Sequence, residues 1–182
     1  MRTSDATLLF VPGWTGSGPD HWQSRWQAKL STALRVQQRD WDQPVLADWV
    51  AALTEAVALS TRPVVIVAHS LGATTTVHAA AGLGGRVAGA LLAAPPSRAF
   101  ILDSPDIPPD FAAFPLDPLP FPSVLAASRT DALCSYGEAG DLALSWGAAL
   151  ADAGDAGHIN TASGHGPWPE GLMCFAGFMR QL

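Results

Sequence analysis

A chain of 182 residues, 48% of them hydrophobic, can bury one sizeable core with little left over, so a single domain over residues 1–182 is expected. A formal charge of −6, with Lys29 the single lysine and the other cations scattered, leaves no basic stripe for a phosphate backbone and argues against a nucleic-acid partner. The opening MRTSDATLLFVPGW carries one arginine and an apolar run too short for a signal peptide or membrane span, so a cytoplasmic location without a membrane partner is expected.

Along the chain, ATLLFVPG (residues 6 to 13) reads as a strand stopped by Pro12-Gly13, and SGPDHWQSRWQAKLSTAL follows with helical spacing behind an Asp20 cap. RVQQRDW suits a short strand, and VLADWVAALTEAVALS a helix with Val45, Trp49, Leu53 and Val57 near one face. VVIVA, residues 64 to 68, is an unbroken apolar run of the kind found in a strand buried on both faces, and small residues suited to a closely packed helix come after it. Further strands are expected in RVAGALLAAPP and PSVLAAS, a helix within SYGEAGDLALSWGAALAD, a weaker strand at AGHINT (156 to 161) and a closing helix in WPEGLMCFAGFMRQL. This alternation specifies an α/β fold, a three-layer sandwich with a mainly parallel sheet and helices on both faces. The segment from 95 to 122 is too interrupted by proline for a long helix and, with four Phe, too apolar for a solvated linker. It is expected to pack as a stiff loop, either purely structural or in contact with a ligand at the C-terminal edge of the sheet. Cys134 and Cys174 lack CxxC spacing and read as free thiols.

The chemistry centres on Ala68-His69-Ser70-Leu71-Gly72, a variant of G-x-S-x-G placed between a strand and a helix. Such a turn holds its serine at positive φ with the hydroxyl exposed, and it needs small residues two positions to either side. A serine in a strand-to-helix link can also be an ordinary cap, so partners must be found. A serine hydroxyl needs a base within hydrogen-bond reach and an acid to orient that base. On folds built around this turn the acid precedes the base along the chain. His21 and His78 come too early and His69 lies inside the turn, so these three read as structural or solvated. Of the remaining two, His158 falls in the weak strand, whereas His165 lies in SGHGPWPEG between two glycines, where a loop can bring its ring over the sheet edge; His165 is therefore selected. Asp131, three residues beyond VLAAS, stands at the end of a late strand and is selected as the acid, its bland alternative being a turn or cap aspartate. The backbone N–H of Leu71 is one candidate oxyanion donor, and VPGWTGSG offers Trp14 or Thr15 as the second, with Trp14 preferred. Trp14, Thr15, Trp168 and the Phe residues of the Pro-rich segment are candidates for an apolar substrate mouth, although tryptophan more often packs in a core.

The combination of VPGWTGSGPDHWQSRW, AHSLGA, SRTDALCS and SGHGPWPEG resembles the small serine hydrolases related to retinoblastoma-binding protein 9 and bacterial YdeN, and the match runs nearly end to end. That resemblance implies a single α/β-hydrolase domain without a large cap, with Ser70, Asp131 and His165 as the triad. It further implies hydrolysis of carboxyl ester or amide bonds, without naming the acyl group; with a serine nucleophile and small substrates, the expected route is an acyl-enzyme on Ser70. Ala68 departs from the glycine that many members of the superfamily carry there. No cofactor is expected: no G-x-G-x-x-G follows the first strand, and His158 and His165 lack a metal-ligand spacing such as HxH or HExxH. The alternative is a binding module, for an unknown protein partner, that keeps the scaffold with little or no turnover.

Overall fold

The computed structural model describes all 182 residues. Six parallel strands form one sheet: β1 (Thr7–Val11), β2 (Ala33–Arg35), β3 (Val64–His69), β4 (Val87–Ala93), β5 (Ser123–Ala127) and β6 (Ala149–Asp152). Their spatial order is β2-β1-β3-β4-β5-β6. Six α-helices connect or flank them: α1 (Trp22–Gln27), α2 (Leu46–Leu59), α3 (Leu71–Ala79), α4 (Arg98–Asp103), α5 (Tyr136–Ser145) and α6 (Pro169–Met179). None is long and apolar enough to cross a membrane.

The central strands are apolar without interruption because both of their faces are covered. In β3, Val64, Ile66 and Ala68 join a cluster with Trp49, Leu53 and Val57 of α2, Val77 of α3 and Ala139 of α5. Val65 and Val67 point the other way, toward Trp22 and Trp26 of α1 and Phe175 and Phe178 of α6. Strand periodicity thus divides one run of residues between two cores.

Chain direction across the sheet reverses at β1, which pairs with β2 on one side and β3 on the other. The C-terminal ends of β1 and β3 are level, Val11 lying opposite Ala68, so the loops after them meet at the crevice where open parallel sheets bind ligands.

Several elements differ from those expected. α1 is short, and its cap is His21, whose ring accepts from the Gln23 N–H; Asp20 instead pairs with Arg25. β2 lies at 33–35, just ahead of the expected strand, and Val45 is the half-exposed cap of α2 rather than part of its buried face. The Pro-rich segment contains α4 and a 3-10 turn at Pro109–Ala113, and it buries Ile101, Ile107, Phe111, Phe114 and Phe121 against the sheet. His78 fastens this segment by a ring hydrogen bond to the Phe111 carbonyl (3.1 Å).

The largest displacement is in the last strand. β6 is Ala149–Asp152, inside the stretch read as the end of a helix, while residues 156–161 form turns. α5 stops at Ser145, and Gly147, at φ 63°, lets the chain reverse into the sheet. β6 is an exposed edge strand built mainly of alanine, which gives neither a β-branched run nor an inside-outside alternation to read.

Candidate active site

Ser70 occupies φ 54°, ψ −126°, a conformation costly for a residue with a Cβ and maintained here by its surroundings. Its amide donates to Ala93 O of β4 (2.9 Å), and Ala73 N donates back to Ser70 O (2.8 Å). Small residues around it are required sterically: a Cβ at Gly72 would overlap the backbone of Val11 and Pro12, and one at Gly13 would lie 2.7 Å from Ser70 Cβ. Ala68 is fully buried, and its methyl group is accommodated in the core.

His158 approaches this turn from the loop after β6. Its Nε2 lies 2.8 Å from Ser70 Oγ, and its Nδ1 lies 2.9 and 3.1 Å from the two carboxylate oxygens of Asp131. Asp131 also accepts from Leu133 N (2.9 Å), and its side chain is only 3% exposed, so the carboxylate is withdrawn from bulk water. With the Nδ1 proton donated to Asp131, Nε2 is the nitrogen free to accept from the Ser70 hydroxyl.

The histidine expected at this position was His165, and the structure corrects that choice. Its Nδ1 lies 3.0 Å from Ser163 O within its own turn, and the ring does not reach Ser70. The error follows from the misplaced last strand. With β6 ending at Asp152, the loop over the sheet edge begins some residues earlier than anticipated, and His158 is the histidine it carries.

The loop is shaped by residues with left-handed backbones and by hydroxyl groups from the neighbouring strand end. Gly157 (φ 55°) and Ile159 (φ 48°) bracket His158. Ser128 Oγ accepts from Ala156 N (2.9 Å), and Thr130 Oγ1 accepts from Gly157 N (3.1 Å). Behind His158, its own carbonyl accepts from His69 Nε2 (2.9 Å), and the Ile159 carbonyl accepts from Trp22 Nε1 (2.9 Å).

Leu71 opens α3, so its N–H has no intrahelical acceptor. The Thr15 amide is already committed to Trp41 O (2.9 Å), whereas the Trp14 amide donates to no protein acceptor. Gly13, where a Cβ would lie 2.7 Å from Ser70 Cβ and 3.2 Å from the Leu71 nitrogen, lets the chain before Trp14 run close to this turn.

A cavity of about 370 Å³ opens over Ser70. Trp14, Thr15 and Phe100 line it, as does Ile107 of the Pro-rich segment; no Lys, Arg, Asp or Glu does. Trp168 does not: it is 3% exposed and packed between Trp22 and Trp26, with Gly171 beneath its ring, so the expected substrate contact is a core residue. His21 and His69, read from the sequence as structural or solvated, are buried yet border the cavity. Burial, with added repulsion from Arg35 and His158, lowers the pKa of His21 to about 4, and burial also holds His69 well below the ordinary histidine range. Both rings are therefore neutral near pH 7. A larger recess of about 600 Å³ beside Asp40, Asp48 and Asp106 contains no serine, cysteine or histidine.

A parallel sheet that presents a strained serine after a central strand, with a histidine and an aspartate on loops after later strands, defines an α/β hydrolase. The serine hydrolase family matches residues 8–177, and the chain belongs to that family. Among solved structures, a YdeN-like hydrolase from Pectobacterium atrosepticum is 34% identical with a TM-score of 0.85, over 97% of this chain and 91% of that one. The ydeN gene product of B. subtilis is 20% identical, with a TM-score of 0.78 over 96% of this chain and 99% of that one. Est1E from Butyrivibrio proteoclasticus, solved with ferulic acid bound, shares the fold at 12% identity and a TM-score of 0.66, over 85% of this chain and 82% of its own. No curated protein sequence matches the chain.

Proposed function

We propose that the protein hydrolyses small, uncharged carboxyl esters through an acyl-enzyme on Ser70. The hydrogen-bonded sequence Ser70–His158–Asp131 carries this reading. His158 Nε2 takes the Ser70 proton as Oγ forms a bond to the carbonyl carbon, and Asp131 stabilises the resulting imidazolium. The carbonyl oxygen, now negative, is received by the Leu71 and Trp14 amides. Collapse of this intermediate breaks the bond to the leaving alcohol, which departs with the proton held on Nε2. Water, activated by the same nitrogen, then releases the carboxylic acid and restores Ser70.

The cavity supports this substrate class. Without a charged lining side chain it provides no counter-ion for an ionised acyl chain, and its volume suits a short or compact one. Site-mapped labelling by a fluorophosphonate tests the assignment. Labelling is expected at Ser70, to vanish in Ser70→Ala, to fall sharply in His158→Ala and Asp131→Asn, and to persist in His165→Ala. Unlabelled, well-folded wild-type protein would overturn it.

A further inference from the structure

We infer that His21 is a specificity-determining residue whose Nε2–H hydrogen-bonds a neutral oxygen acceptor of the substrate, so that the preferred esters carry an ether, hydroxyl or carbonyl oxygen close to the scissile bond. This inference rests on the acyl-transfer reading above.

The tautomer is set by the helix that His21 caps. Its Nδ1 accepts from Gln23 N (3.2 Å), so in the neutral ring the proton must be on Nε2. Nε2 has no protein partner, and it is not among the sealed, unpartnered polar atoms, which are confined to the Gln38 side chain. His21 lines the cavity and is only 5% exposed, so an unpaired and unsealed donor on its ring is a hydrogen bond available to an occupant.

The ring is held in place from several sides. It packs against His69 with centroids 4.9 Å apart, and His69 in turn lies 5.0 Å from His158. The three imidazoles are thus adjacent in turn, all of them lining the cavity, and the last is the ring bonded to Ser70. His69 is anchored by its own bond to the His158 carbonyl, which accepts from Nε2. A charged donor would attract carboxylates; an imidazole kept neutral by burial and by Arg35 and His158 beside it selects uncharged acceptors.

Two substitutions separate this role from helix capping. His21→Asn retains a side-chain oxygen to cap Gln23 N but loses the outward donor, whereas His21→Gln places an amide N–H near the position of Nε2. Two ester pairs of matched shape locate the acceptor: p-nitrophenyl methoxyacetate against p-nitrophenyl butyrate for the acyl side, and methoxyethyl butyrate against butyl butyrate for the alcohol side. Each kcat/KM ratio is corrected for the hydroxide-catalysed rates. In at least one pair, His21→Asn is expected to lower the preference for the oxygen-bearing ester about tenfold, with His21→Gln retaining most of it. Unchanged ratios in both pairs with His21→Asn would overturn the inference, as would imidazole nitrogen NMR placing the neutral proton of His21 on Nδ1. Failure of the hydrolase reading looks different: neither ester pair is turned over, while methoxyacetamide still shifts the His21 Nε2 resonance.

Discussion

Ser70 and His158 meet at 2.8 Å from supports of opposite kinds. Ser70 leaves β3, a central strand with every residue buried, and its strained turn is walled in by Gly13, Gly72 and the backbone of β1 and β4. His158 leaves β6, an exposed edge strand, and its loop is shaped by two hydroxyl groups from Ser128 and Thr130 and by left-handed residues on either side. The first support is close packing, which has no slack; the second is a small set of directional hydrogen bonds. Damage to the serine turn should therefore register as lost stability, and damage to the histidine loop as lost rate.

The largest test concerns the two candidate bases. His158→Ala should lower kcat for p-nitrophenyl butyrate by about 10³–10⁴-fold, while His165→Ala stays within about twofold in the same assay. The opposite order would sink the present assignment. Next comes the walled turn: Gly72→Ala, whose Cβ would overlap backbone rather than a movable side chain, should cost about 3 kcal/mol and lower Tm in a thermal melt by about 6–12 °C. A melt within 2 °C of wild type, roughly the shift from half a kcal/mol, would show that the turn has slack after all.

The imidazoles at the interface of the two supports predict an effect of pH. In the fold His21 has a pKa of about 4, below its unfolded value, so between the two the unfolded chain binds more protons. Stability from this group is full above the unfolded pKa and is lost as pH falls toward 4, a limiting loss of about 3 kcal/mol, with His69 acting in the same direction. Urea midpoints for wild type should fall between neutral pH and pH 4, and His21→Asn should flatten that slope; parallel curves would exclude His21 as a source. The smallest expected stability change, about 1–2 kcal/mol, is for Ser128→Ala, which deprives Ala156 N of its acceptor. Its kcat should nonetheless fall several-fold as His158 loses its fixed position, and an unchanged kcat would show that the loop holds without that hydroxyl.

The same contrast explains what could be read from the residues alone. A strand buried on both faces must be apolar throughout, and a serine at positive φ must have small neighbours, so β3, Ser70 and Gly72 are all announced locally. Asp131 was identifiable from its distance beyond β5. β6 was not, because an alanine-rich edge strand has no pattern to distinguish it from the end of α5, and His158 was lost with it. The glycines on either side of that strand, Gly147 and Gly154, both at positive φ, were the available signal. Trp168 was misjudged for another reason: an aromatic residue next to a proline in a late loop resembles a pocket wall, and its burial depends on Trp22 and Trp26, far away in sequence. His21 and His69 could not be placed at the cavity without knowing that the start of α1 packs against the end of β3, His21 and Trp22 against His69.

The separation between the two partners along the chain also sets an order in time. A contact across 88 residues can form only after the chain between has been made. During synthesis β1, β3 and β4 have all been made before Ala149–Asp152 emerges to extend the sheet. Until then, on the proposed mechanism, the Ser70 hydroxyl has no base beside it and is expected to be unreactive. The loop after β6 that carries His158 is thus made late, with only α6 to follow, and reactive-serine labelling of a ribosome-bound nascent chain is expected only once the residues beyond β6 are free to dock.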